Sequence, residues 1–155
     1  MSDTDAKLLD LHELARKRKI RIYYDHLLPD DESFITLRNG ETCIFLDVGL
    51  SGFSEVKHLT HEIGHDIVGI SDNTTSGWLE QSQEKHARIW AATYLITPDD
   101  FMKVLNDGFI RCEYEAAEEL HVDMETFCQI VEYFKSKGLP VRQCEVISDW
   151  RQWDY

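Results

Sequence analysis

A chain of 155 residues, 43% hydrophobic and 11% aromatic, is long enough to bury a core and has a globular composition, which favours one domain. Its 16 lysines and arginines against 29 aspartates and glutamates leave a formal charge of −13, which repels phosphate backbones and anionic membranes and argues against direct nucleic-acid binding. No apolar run is long enough to span a bilayer, and MSDTDAKLLDLHELARKRK lacks the basic and apolar regions of a secretory signal, so a cytoplasmic protein is expected. Cys43, Cys112, Cys128 and Cys144 form no CxxC pair, so free thiols are expected rather than disulfides or a cysteine zinc site.

From about Thr4 to Lys19, Leu8, Leu11, Leu14 and Ala15 recur at helical spacing. Next come RIYYDHL, ESFITL and ETCIFLDVGL, rich in β-branched and aromatic residues and separated by Pro29-Asp30-Asp31 and Asn39-Gly40. Asn-Gly between two such runs signals a hairpin, and the three runs together predict a small antiparallel meander. The helical period returns after Gly52, with Ser54 as expected N-cap and Gly69 as the stop. SDNTTSG is turn-like, and a third helix is predicted from about Trp78 to Ile96, ending before Pro98. Three further helices are expected over Asp99 to Leu105, Glu113 to Leu120 and Met124 to Lys137, then the aromatic tail ISDWRQWDY.

The second helix carries KHLTHEIGHDI. On a helical wheel, His65 lies about 40° from His61, His58 about 60° and Glu62 about 100°, while Val56, Leu59, Ile63 and Ile67 fall on the other side. One face is core; the other holds histidines and a carboxylate. His61 and His65, one turn apart, can both point at one metal ion, and Glu62 can reach a water on that ion without being a ligand. This is HExxH, whose spacing serves a chemical purpose: zinc acidifies water, and the carboxylate takes its proton. His58 is expected to be solvated or to support the site from behind.

A catalytic zinc needs a third protein ligand. After His65 the next histidine is His86, which the wheel of the third helix turns away from the apolar stripe. Glu84 lies in that stripe, within about 80° of Ala87, Ala91, Tyr94 and Leu95, where a carboxylate needs a metal or another partner. Glu84 is therefore the expected ligand, Glu80 the alternative, and an i,i+4 pair of Glu84 with Arg88 the ordinary structural role. Oxyanion stabilisation has only weak candidates in His58, Tyr94 and His26.

HLTHEIGHDI followed by EKHARIWAATYLITPDDF resembles the ImmA/IrrE-type zinc metallopeptidases, with Glu84, Ala87, Trp90, Ala91, Leu95, Ile96 and Pro98 as matching positions. The resemblance covers roughly residues 20 to 137, including AAEELHVDMETFCQIVEYF. It implies Zn2+ held by His61, His65 and Glu84, with Glu62 as general base. It also implies a cytoplasmic regulatory protease, often of phages or mobile elements, that cleaves a repressor to release genes. Arg88 stands where that family has Asn or Asp, Trp90 where it has Phe, and Thr97 where Met is common; Arg88 would alter the surroundings of the ligands. The fold expected is α+β: a small antiparallel β-meander packed with a zincin-like helical core and C-terminal helices, one domain over 1–155, with 138–155 as tail.

EELHVDMETF also has helix-turn-helix rhythm, with Asp123 capping the following helix. That helix offers Glu125, Gln129, Glu132 and Lys135, a poor set for reading base edges, so packing or protein docking is expected there. The rival to a peptidase is an anti-repressor that keeps the zinc fold and acts by binding alone.

Overall fold

The computed structural model describes residues 2–69 and 77–141, with side chains from residue 81 onward in the second stretch. The order of elements is α1 (Asp3–Lys17), β1 (Ile20–Asp25), β2 (Ser33–Arg38), β3 (Glu41–Asp47), α2 (Phe53–Val68), α3 (Gly77–Leu95), α4 (Pro98–Leu105), α5 (Glu113–Glu119) and α6 (Met124–Ser136). The expected α+β fold with C-terminal helices is present. The chain divides into two compact units, Met1–Ala91 and Ala92–Tyr155. Residues 71–76 of SDNTTSG and the tail ISDWRQWDY, with Cys144, lie outside the described residues; Cys43, Cys112 and Cys128 are thiols.

In the first unit, α1 starts in a capping box in which Ser2 Oγ accepts from Asp5 N and the Asp5 carboxylate accepts from Ser2 N, at 3.1 and 3.0 Å. The β2–β3 hairpin turns at Asn39-Gly40, with φ of 52° and 77°, the left-handed pair a two-residue hairpin loop requires. The sheet is not the antiparallel meander that the order of the runs suggests. Its order is β1-β3-β2, and β1 runs parallel to β3. The physical reason lies in β3: Cys43, Ile44 and Leu46 are all buried, and the most buried strand takes the centre with a partner on each edge. The link from β1 to β2 therefore crosses the end of β3. Asp47 ties it down there: its N–H donates to Glu32 O at 2.9 Å, and its carboxylate accepts from Leu27 N and Gly49 N at 2.9 and 2.8 Å. Those two N–H donors hold the Asp47 carboxyl below its ordinary pKa.

One sheet face, with Ser33 and Ile35 of β2 and Ile44 and Leu46 of β3, turns toward α2, which packs against α1, β2 and β3. The other carries the row Tyr23–Phe45–Phe34, stacked at 5.2 and 4.9 Å. Helix α2 begins at Phe53, one residue ahead of the expected cap Ser54. Gly52 is the cap residue, at φ 58° and ψ −132°, a conformation that only glycine adopts without strain. Gly69, at φ 101°, closes the helix as expected. Val56, Leu59 and Ile63 are completely buried, which is the core face seen on the wheel.

In the second unit, Thr97 caps α4 by accepting from Asp100 N, and Pro98 occupies the first helical turn, where its missing N–H does no harm. Asp123 caps α6 as expected, accepting from Thr126 N at 2.7 Å. Phe101, Phe127, Ile130 and Phe134 form the centre of this unit's core, with Phe101 and Phe134 rings 4.7 Å apart. α6 thus buries one face against its own unit, the packing role expected of it. Among the described residues no helix is long and apolar enough to cross a membrane.

Candidate metal centre

The 3.6-residue period puts His61 and His65 one above the other on α2, with ring centroids 4.7 Å apart and ring planes at 89°. Glu84 reaches them from α3. Its Oε1 lies 3.0 Å from His61 Nε2 and its Oε2 lies 2.9 Å from His65 Nε2. The two Nε2 atoms are 3.2 Å apart. One nitrogen from each histidine and one Glu84 oxygen all lie within 4.8 Å of one another, so this group can hold a metal ion. Among the described residues it is the one such group.

A glycine lets α3 come close enough. An added Cβ at Gly64 would stand 2.8 Å from Ala87 O and 3.2 Å from Trp90 Cε3. Gly64 precedes His65, and Ala87 lies just under one turn beyond Glu84. The two helices therefore approach closely beside His65 and Glu84.

The electrostatics follow from these contacts. Hydrogen bonds from His61 first, and then His65, hold the Glu84 carboxyl well below the usual carboxylate range. The bond to Glu84 raises the His65 pKa above its ordinary 6.5; partial burial opposes this, and the charges of Glu84 and then Glu62 add to it. Arg88 NH2 stands 3.9 Å from Glu84 Oε1, so Glu84 serves both the histidines and the i,i+4 pair. The expectation of a buried Glu84 needs correction: its side chain is 41% exposed. In that stripe Ala87 and Ala91 are buried, at 0% and 7% exposure, and Glu84 sits at its exposed rim.

Glu62 is buried, 6% exposed, and lies outside the three-ligand group. Its Oε1 accepts from Ser33 Oγ at 2.7 Å. Ser33 Oγ also lies 3.2 Å from His58 Nδ1, and His58 Nε2 lies 2.6 Å from Glu32 Oε2. His58 is therefore engaged with β2 and the residue before it. Among the described residues, His86, His26 and Glu55 are not part of the group. His86 is exposed. His26 is exposed on the β1–β2 link, its N–H bonded to Asp25. Glu55 accepts from Tyr24 OH at 2.7 Å. Tyr94 belongs to the second unit and is 38% exposed. The Glu80 side chain lies outside the described ones.

Sequence reasoning missed Ser33, Glu32 and Gly64. The alternation in SFITLR did carry a signal, because it puts the Ser33 hydroxyl on the same face as Ile35, where a polar group needs a partner. No protein-family model matches the chain, and no curated protein matches it.

Proposed function

We propose that this protein is a zinc-dependent endopeptidase acting in the cytoplasm on a regulatory protein, with a helix-turn-helix transcriptional repressor as its substrate class. One observation carries the reading: two imidazole nitrogens and a carboxylate converge within 4.8 Å, and the next residue after the first ligand is a buried glutamate outside that group. Two histidines and one acid form a donor set of catalytic zinc sites, and bonds of about 2.0–2.2 Å in a tetrahedron would set these atoms roughly 3.3 Å apart. The observed separations of 2.9 to 3.2 Å need only small outward rotations to fit it. The resemblance of HLTHEIGHDI and EKHARIWAATYLITPDDF to the ImmA/IrrE-type metallopeptidases supports the choice of zinc and of a repressor.

Bound zinc would supply Lewis acidity, polarising a peptide carbonyl and making water acidic near neutral pH. His61, His65 and Glu84 would hold it, as neutral imidazoles and a carboxylate. Glu62 accepts the proton of the attacking water and passes it to the departing amine, which leaves two products and restores the carboxylate.

Glu62→Gln is the test. It keeps size and polarity but cannot accept a proton at neutral pH. The variant should bind metal and fold as wild type does, while cleavage of a repressor encoded beside this gene falls by about 10²–10⁴-fold. If wild type and Glu62→Gln relieve repression equally, with the repressor left full-length, the protein acts by binding and the peptidase reading is wrong.

A further inference from the structure

Glu62 hangs on three rotatable bonds, so a partner outside α2 can help select the rotamer that aims its carboxylate. Among the described residues its hydrogen-bond donor is Ser33 Oγ, 2.7 Å from Oε1. Ser33 opens β2, pairs with Leu46 of β3 and faces α2, 29 residues away in sequence. The serine is itself braced. His58, one turn before Glu62 on α2, brings Nδ1 to 3.2 Å from Ser33 Oγ, and its Nε2 meets Glu32 Oε2 at 2.6 Å. Four side chains, Glu32, His58, Ser33 and Glu62, thus form one connected chain between the start of β2 and the histidine face of α2. A hydroxyl has one proton to donate, and directing it at Oε1 leaves Oε2 to accept from water.

We propose that Ser33 is a positioning residue that holds the Glu62 carboxylate in its proton-accepting rotamer, with His58 and Glu32 bracing it from behind. The inference rests on the peptidase reading and adds to it the strand that aims the base. A purely structural role, pinning β2 to α2, would also make Ser33→Ala less stable. It would not couple Ser33 to Glu62 in a measurement that reads the base.

Acetohydroxamic acid bound to cobalt-substituted protein is such a probe. The acid sheds a proton as it chelates, a carboxylate beside the metal receives it, and the visible bands of cobalt report binding without any substrate. Ser33→Ala should take up cobalt as tightly as wild type and bind acetohydroxamate about ten-fold more weakly, the size expected for loss of a hydrogen bond to a charged group. Ser33→Thr, which keeps the hydroxyl and suits a strand, should recover most of that affinity. Glu62→Gln should weaken the probe too, and Ser33→Ala added to it should cause no further loss. Unaltered affinity in Ser33→Ala, or losses that add in the double variant, would overturn the assignment while leaving the metal site intact. A wild-type protein that takes up no cobalt or zinc would overturn both readings together.

Discussion

Glu84 meets two imidazoles with its two oxygens, and this bidentate contact makes it the third ligand to test first. Glu84→Ala should lower zinc affinity by more than about 100-fold, beyond the 10–100-fold typical of losing an outer partner. Glu80→Ala should leave it unchanged. Competition against a chromophoric chelator measures both, and the opposite pattern would move the ligand one turn back along α3. A second residue-scale prediction concerns Tyr24, whose hydroxyl donates to Glu55 at 2.7 Å and lies 3.1 Å from His12 Nε2. Partial burial first, and then the Glu55 bond, push the phenol above its ordinary pKa of 10.0. The folded state thus holds this proton more tightly than the unfolded chain. The contribution is complete below pH 10.0 and is lost as pH rises above it. Tyr24→Phe should therefore show a smaller drop in urea midpoint than wild type between about pH 8 and about pH 11. An equal drop would mean that other groups set the alkaline limit.

At the scale of elements, the crossing of α2 and α3 decides whether the ligands meet. Alanine at Gly64 gains about 1 kcal/mol of helix propensity. Against this, its Cβ would stand 2.8 Å from a backbone carbonyl, Ala87 O, which cannot turn aside as a side chain would. Overpacking of this kind costs about 1–3 kcal/mol. Gly64→Ala should therefore be destabilised in chemical denaturation and should also bind zinc more weakly, because α3 carries Glu84 away as it retreats. Increased stability with unchanged metal affinity would show that the helices already have room. The α6 cap is a simpler case: Asp123→Ala removes the acceptor for Thr126 N and should cost about 1 kcal/mol, with no effect on metal.

For the whole molecule, a metal held by this group would be a ligand of the folded state. Its three donors come from two helices, so the unfolded chain cannot present them together. Zinc at 100 times its dissociation constant should stabilise the protein by about 2.7 kcal/mol, seen as a rise in Tm that a chelator reverses. His65→Ala should abolish the rise, and a zinc-dependent rise that survives it would place the metal elsewhere. The charge of −13 acts at this scale too, since it disfavours anionic partners and leaves a basic protein surface as the favourable one.

What the amino-acid order determined by itself is local. HExxH implied a shared face because a 3.6-residue turn brings residues 61 and 65 together whatever surrounds them. Asn39-Gly40 implied its hairpin, Gly69 its helix end and Asp123 its cap, since each acts through its own dihedrals or its nearest N–H groups. Glu84 was legible in part: its helix face could be read, but its place at the rim could not. The tertiary structure alone decided the rest. The turn signals around residues 26–32 fit a meander or a crossover equally well, and burial of β3 on both sides chose the crossover. The division after Ala91 has no linker to mark it, because it falls inside α3. Ser33 meets Glu62 across 29 residues, and no local period spans that distance; only the packing of β2 on α2 brings hydroxyl and carboxylate to 2.7 Å.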